Sequence, residues 1–318
     1  MGSFLSKQME RRKAISAENK SLSSLLSSSG DAFPGSDFRI SDRKSWMSSL
    51  QLDRLLLHQI VFPGTHDSAT NRIGLPFLSR PFAQCQSCSV YVQLCAGVRA
   101  LDIRVRADRR VCHGILASYS VDVVITHLKR FLSETQSELI LLEIRTEFGQ
   151  EDPPDFDKYL VEQLGDYLVP QDDAFFGRTV AQIVPKRVIC VWKPRKSPAP
   201  KNGELLWSGG HLRDNWIDTD LPKTKFDSNM KHLGEQPPAK DRKYFYRVEN
   251  TVTPQADNPV VCVRPVTERI RGYARLFISQ AFEKGIADRL QVFSTDFVDD
   301  DFVDACVGLT HARIEGKA

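Results

Sequence analysis

Leu139-Ile140-Leu141-Leu142-Glu143-Ile144-Arg145-Thr146-Glu147 is the stretch that decides the fold. Its four leading apolar residues favour neither face, the pattern of a β-strand covered by helices on both sides. Glu143, Arg145 and Glu147 then fall two apart and share one face. Charges at the C-terminal end of an otherwise apolar strand sit where (β/α) barrels place their active sites. The same grammar recurs at Leu101-Asp102-Ile103-Arg104, Val191-Trp192-Lys193 and Phe293-Ser294-Thr295-Asp296. An unpaired buried charge costs several kcal/mol, so core packing does not account for four such runs.

Outward from that strand, β-type runs alternate with helical periodicity. Candidate strands cover residues 60–62, 98–105, 110–113, 139–146, 187–192, 204–207, 244–248 and 291–294. Helical patterns cover 121–133, 156–168 and 267–284, with a last short helix over 298–307. Asp42 reads as the N-cap of a first helix carrying Trp46, Met47 and Leu50. Eight strands with intervening helices imply an α/β fold, a parallel barrel or a wound sheet.

Composition narrows the function classes. The 318 residues are 41% hydrophobic and 26% charged, ordinary for one large globular domain or two modest ones. A net charge of +3, with no basic helix carrying interleaved aromatics, argues against nucleic acid as a partner. Seven cysteines with no secretory h-region fit reduced thiols in the cytosol. No apolar run approaches the roughly 20 residues of a spanning helix.

The N-terminus adds a membrane signal. Met1-Gly2-Ser3-Phe4-Leu5-Ser6 fits the N-myristoylation pattern, with Gly2 as the acceptor. One acyl chain binds only marginally, and Lys7, Arg11, Arg12 and Lys13 offer a second signal toward an anionic cytoplasmic leaflet. The expected organisation is a lipidated basic anchor over 1–13, a Ser-rich flexible linker over 14–41 and a catalytic domain over 42–318. The expected location is cytoplasmic, peripheral on the inner face of the plasma membrane or an endomembrane. Leu22, Leu25 and Leu26 could form a short helix within the linker.

The chemistry centres on Phe62-Pro63-Gly64-Thr65-His66-Asp67-Ser68, where a strand hands over to a loop at a Pro-Gly break, and on His113-Gly114 beyond the Asp102–Arg104 run. Two histidines with charged partners suit metal-free phosphoryl chemistry. One imidazole takes a proton from the attacking hydroxyl, the other protonates the leaving oxygen, and an arginine holds the phosphate. His58, His127, His211, His232 and His311 read as structural or surface residues. Cys85-x-x-Cys88 with Cys95 and Cys112 matches no common zinc spacing, and Ser208-Gly209-Gly210 is too short for a phosphate loop.

Trp46-Met47, Pro63–Ser68, Asp102-Ile103-Arg104 and His113-Gly114 together resemble the X domain of phosphatidylinositol-specific phospholipase C. The resemblance is to the bacterial-type, single-domain enzymes and their eukaryotic X-domain-only relatives; it spans most of 42–310 and is specific through about 147. It implies a single distorted TIM (β/α)8 barrel of the phospholipase C-like phosphodiesterase type. By the same resemblance, His66 is the general base on the inositol 2-hydroxyl, oriented by Asp296, and His113 is the general acid, with Asp67 as its carboxylate. Arg104 binds the phosphate beside Asp102, and the product is a cyclic inositol phosphate. Calcium-dependent relatives carry an acidic metal ligand where Arg104 stands and an asparagine where Asp67 stands, so no metal cofactor is expected; a guanidinium can supply the charge. Glu143 with Asp67 and Asp102 could instead rebuild an acidic cluster for Ca or Mg. Arg145, Lys193, Asp214 and Trp216 are the expected substrate contacts, Trp216 offering a stacking surface without a hydroxyl. The expected partner is a phosphatidylinositol-type lipid in an anionic membrane surface. Two alternatives stay open: a metal-dependent phosphodiesterase on other lipid headgroups, and a non-catalytic inositide-binding scaffold.

Overall fold

A computed structural model describes residues 2–255 and 261–318, with side chains from Ser6 onward. The described residues form ten strands: β1 (Phe62–Thr65), β2 (Ala100–Val105), β3 (Arg110–His113), β4 (Leu116–Ser120), β5 (Ile140–Thr146), β6 (Val188–Lys193), β7 (Trp207–Ser208), β8 (Leu212–Asp214), β9 (Phe245–Asn250) and β10 (Val292–Thr295). Eight of them run in the spatial order β7-β6-β5-β2-β1-β10-β9-β8, every neighbouring pair parallel. Among the described residues no ladder joins β7 to β8. The result is the expected TIM-type barrel, nearly closed.

Among the described residues eight α-helices accompany the strands: α1 (Gly2–Ser29), α2 (Val90–Cys95), α3 (Val121–Ser133), α4 (Phe156–Leu164), α5 (Pro222–Gly234), α6 (Val263–Arg271), α7 (Ala274–Glu283) and α8 (Asp300–Ile314). Helix α3 has the sequence-expected bounds because its signals agree. The Ser120 hydroxyl caps its N-terminus, and Val121, Val124, Ile125, Leu128 and Leu132 recur on one buried face. None of the described helices is long and apolar enough to cross a membrane.

The strand interiors explain the barrel. Leu139, Ile140, Leu141 and Leu142 are all buried, alternate residues facing the interior and the helices. Gly64 lets β1 lie close against β10, because a Cβ there would lie 2.3 Å from Ser294 Oγ and force that side chain to shift. At the opposite end, fully buried Arg99 donates from Nε to Glu138 at 2.7 Å and from Nη1 to the carbonyls of Leu94 and Val98.

Several elements differ from expectation. Residues 110–113 are no barrel strand. They form one arm of the antiparallel β3–β4 hairpin beside β2. The eighth barrel strand is β8, too short at three residues to leave a pattern. The 267–284 helix is two helices broken at Gly272-Tyr273, and α8 continues to Ile314. Asp42 caps a turn through the amides of Lys44 and Ser45, ahead of a 3-10 turn at Trp46–Ser49.

The largest difference is the N-terminal segment. In place of a flexible linker over 14–41, helix α1 continues to Ser29 and packs on α5. Arg11, Ile15, Glu18, Leu22, Leu25 and Leu26 recur at helical spacing, and Leu22 is fully buried. The Glu18 carboxylate accepts from the amides of Lys223 and Thr224 and from the Thr224 hydroxyl, capping α5 from outside the helix. Arg11 pairs with buried Asp220, which removes it from the expected lipid-facing basic cluster. Residues beyond Ser29 then run over α7 and α8. There Phe38 stacks on His311 at 4.0 Å, and the Ile40 amide reaches Asp304 at 3.2 Å.

Candidate active site

Parallel register brings the reactive residues together. Thr65 and Thr295 are partners on β1 and β10, so the residues that follow them, His66 and Asp296, leave the barrel side by side. His66 Nδ1 lies 2.8 Å from Asp296 Oδ1, while Asp296 Oδ2 accepts from the Thr267 hydroxyl at 2.8 Å. Gln86 donates to the carbonyls of both His66 and Thr295, pinning the two strand ends. Asp67 then turns the chain at φ +45°, a left-handed conformation that short polar side chains tolerate. Its amide donates to Asp102 Oδ2 at 3.1 Å, folding the loop back over β2.

That turn aims the Asp67 carboxylate between the two histidines. Its Oδ2 lies 3.5 Å from His66 Nε2 and 3.6 Å from His113 Nε2, and its Oδ1 lies 3.1 Å from Arg104 Nε. Asp67 therefore serves both imidazoles, where the sequence pairs it with His113 alone. His113 Nδ1 donates to the Ala83 carbonyl at 2.8 Å. Both rings thus hold a proton on Nδ1, and each Nε2 is left as the reactive atom. The ring centroids are 6.4 Å apart.

Arg104 fills the space beside them. Its Nη2 donates to His66 Nε2 at 2.7 Å and to Asp102 Oδ2 at 3.1 Å, with Glu147 Oε2 3.6 Å from Nη1. Burial would lower the arginine pKa, but Asp102, Asp67 and Glu147 raise it well above the ordinary value. Burial would likewise raise Asp102, yet Arg104 and Arg247 hold it far below the carboxylate range. At His66 burial favours the neutral ring, but Asp296 and Asp67 outweigh it and lift the pKa to about 9. The Arg104 contact pulls the other way, since a proton on Nε2 would face Nη2 donor against donor. The acids prevail, and the ring takes up its second proton as the guanidinium turns away from Nε2.

His66, Asp67 and Asp102 offer ligand atoms within 4.8 Å of one another, but the Arg104 guanidinium is bonded among them. This donor set does not fit a metal ion with Arg104 in place. Glu143 does not rebuild an acidic cluster, because Arg247 at 2.5 Å and Lys193 at 2.8 Å neutralise it. Cys85 gathers with the His66 and Asp296 side chains or with Asp67 and His113, rather than with other cysteines.

The site opens into a cavity of about 940 Å³ at the C-terminal mouth of the barrel. Arg145, Asp214 and Trp216 line it as expected; Asp102 and Lys193 do not. Asp102 is fully buried and orients Arg104, and Lys193 pairs with Glu143. Trp216 stacks on His66 itself, with centroids 5.3 Å apart, and Lys225 Nζ lies 3.9 Å from the Trp216 ring centroid. Its expected stacking surface therefore covers the His66 ring in this conformation. Burial lowers the Lys225 pKa to about 8.

Arg247 and Glu249 escape the sequence reading although both line the cavity. Arg247 bonds Glu143, Asp214 at 3.0 Å and Glu249 at 2.6 Å. Their alternation with Tyr246 and Val248 on β9 is the same charged-strand grammar and could have exposed them.

Residues 62–188 match the sequence model of the family described as phosphatidylinositol-specific phospholipase C, X domain. A 115-residue stretch is 34% identical to a 1-phosphatidylinositol phosphodiesterase of Listeria monocytogenes, spanning 36% of each chain. A PI-PLC X-box domain-containing protein of Dictyostelium discoideum is 28% identical over 164 residues, 46% of this chain and 22% of that protein. The chain thus spans about a third or less of the curated relatives it matches. The solved structure of the Listeria phosphatidylinositol-specific phospholipase C superposes with a TM-score of 0.68 over 84% of this chain and 98% of that one, at 20% identity. A Staphylococcus aureus phosphatidylinositol-specific phospholipase C mutant gives 0.64 over 86% and 99%, at 18% identity.

Proposed function

We propose that this chain, a phosphatidylinositol-specific phospholipase C-like protein by its X domain, cleaves the phosphodiester of phosphatidylinositol-type lipids by metal-independent acid–base catalysis. One observation carries the reading. Two imidazoles, each anchored through Nδ1, direct their Nε2 atoms at the same carboxylate oxygen beside a guanidinium. Two proton-transfer sites flanking one anion-binding group are what in-line displacement at phosphorus requires.

In the proposed sequence the lipid phosphate draws Arg104 from His66, freeing Nε2. His66 takes the proton of the inositol 2-hydroxyl as that oxygen forms its bond to phosphorus. The bond from phosphorus to the glycerol oxygen breaks, and His113 Nε2 gives that oxygen its proton. Diacylglycerol and a cyclic inositol phosphate leave, with one proton taken up at His66 and one released at His113. Asp296 and Asp67 stabilise the imidazolium at each stage. Trp216 must swing off His66 to admit the inositol ring, which it can then stack, and Arg145 stands free enough at the mouth to contact the headgroup. Gly2 acylation with the remaining basic residues Lys7, Arg12 and Lys13 would hold the enzyme on a cytoplasmic membrane face.

Phosphorus NMR of phosphatidylinositol micelles, run with and without a chelator, tests the reading. The cyclic product should accumulate in both. No turnover, or turnover only without chelator, refutes it. Mass spectrometry of the N-terminal peptide from cells tests the anchor, and an unmodified Gly2 removes it.

A further inference from the structure

A second cavity, of about 780 Å³, lies between the 71–79 loop, the β3–β4 hairpin and α3. It shares no lining residue with the catalytic cavity. No carboxylate lines it, whereas Arg72, Arg110 and His127 do. Among the described residues neither guanidinium has a carboxylate within 4.0 Å. Asp108, whose charge reaches Arg110, is held in two bonds by Arg106. Arg110 Nε donates to the Ser118 carbonyl at 2.8 Å, which leaves its Nη donors free of protein acceptors among the described residues.

Two buried polar atoms point to a ligand as well. Ser118 is 3% exposed, and its Oγ has no hydrogen-bond partner among the described residues; the same holds for His127 Nδ1. Orphaned buried donors cost free energy that an anion in the cavity would recover. The rim is apolar and solvent-facing, with Leu75 62% and Ile115 86% exposed. Beside it, Phe77 is 96% exposed at φ +63°, a backbone conformation phenylalanine seldom adopts. Phe82, in the 3-10 turn Arg80–Phe82 that follows this loop, is 51% exposed and borders the catalytic cavity.

We propose that this cavity is a second lipid site, distinct from the catalytic one. It takes the phosphate of an anionic glycerophospholipid between Arg72 and Arg110, while Leu75, Phe77 and Ile115 enter the acyl layer. A free phosphate shares the anion chemistry, but it has no use for the apolar rim. Binding here would hold the barrel mouth against the membrane without consuming the bound lipid, and it does not depend on the catalytic reading.

The test uses the full chain with phosphatidylcholine vesicles doped with phosphatidylglycerol, which lacks an inositol ring. Sedimentation should show the exposed-residue double variant Arg72→Gln/Arg110→Gln binding about tenfold or more weakly than the parent, as expected for losing two surface cations. Phe77→Ser should also weaken vesicle binding. In NMR, short-chain phosphatidylglycerol below its micellar range should shift the His127 ring signals at lower concentration than inorganic phosphate does. Unchanged vesicle binding in the double variant overturns the proposal, as does an unmoved His127. Equal potency of inorganic phosphate makes it a free-phosphate site and overturns the lipid assignment. An unchanged urea-unfolding midpoint of the double variant confirms its fold independently of turnover, which separates failure here from failure of the proposed catalysis.

Discussion

Asp296→Asn changes one atom and should disable the base. The carboxylate now accepts from His66 Nδ1 and from the Thr267 hydroxyl, both at 2.8 Å. An asparagine has a single acceptor oxygen. If Thr267 keeps it, the amide NH2 faces Nδ1 and forces the ring proton onto Nε2, where the base must be empty. The same change of tautomer in the serine-protease relay lowers kcat about 10⁴-fold, and a loss of about 10³–10⁴ is expected here. The pH dependence shifts too. Burial opposes the imidazolium, yet Asp296 and Asp67 carry the His66 pKa from 6.5 to about 9, a preference of about 3 kcal/mol. In the parent, kcat/KM should fall as pH drops through the His66 pKa, and in Asp296→Asn that limb should move to lower pH. Stability follows with a definite sign. A raised pKa contributes stability that is complete below pH 6.5 and lost as pH rises through about 9, so the variant's urea stability should vary less across that window. A variant with native unfolding behaviour, kcat/KM within about tenfold of the parent and an unmoved limb would refute the role of Asp296.

Three further outcomes follow from the geometry. His113→Ala should cost about 10²–10⁴ in kcat with phosphatidylinositol but far less with an analogue whose leaving group is already acidic, measured by stopped assay with both substrates; equal losses would remove His113 as the acid. Arg104→Met should lower kcat/KM by about 10²–10³, and activity should not return on adding Ca or Mg; metal rescue would show that the acidic cluster can hold an ion. Leu22→Ala, in the fully buried face of α1, should lower the urea unfolding free energy by about 2–4 kcal/mol, whereas a flexible tether predicts no change.

Legibility followed the range of the interactions. The inward charges of β2 and β5 were readable because strand periodicity puts alternate residues on one face, and a buried charge implies a partner. The two histidines were readable from their strand-end settings. Arg247 lay in the same kind of pattern, but its pairing with the three carboxylates of Glu143, Asp214 and Glu249 joins strands whose proximity no local pattern encodes. Lys193 and Trp216 show the reverse. Trp216 lines the cavity and Lys193 does not, and neighbours claim both side chains, Glu143 for Lys193 and His66 for Trp216. The serine-rich N-terminus misled because low helix propensity is overridden where Ile15 and Leu22 bury against α5.

By itself the sequence determined an α/β fold, parallel barrel or wound sheet, and marked two histidines and an arginine beside acids as the candidate site, because periodicity and residue chemistry are local properties. Tertiary structure alone decided which partners those residues keep. Closing the barrel puts Thr65 beside Thr295, and only then do His66 and Asp296, 230 positions apart, meet at 2.8 Å. The left-handed turn at Asp67 then sets one carboxylate oxygen between both imidazoles, a geometry fixed by the loop's bonds to β2.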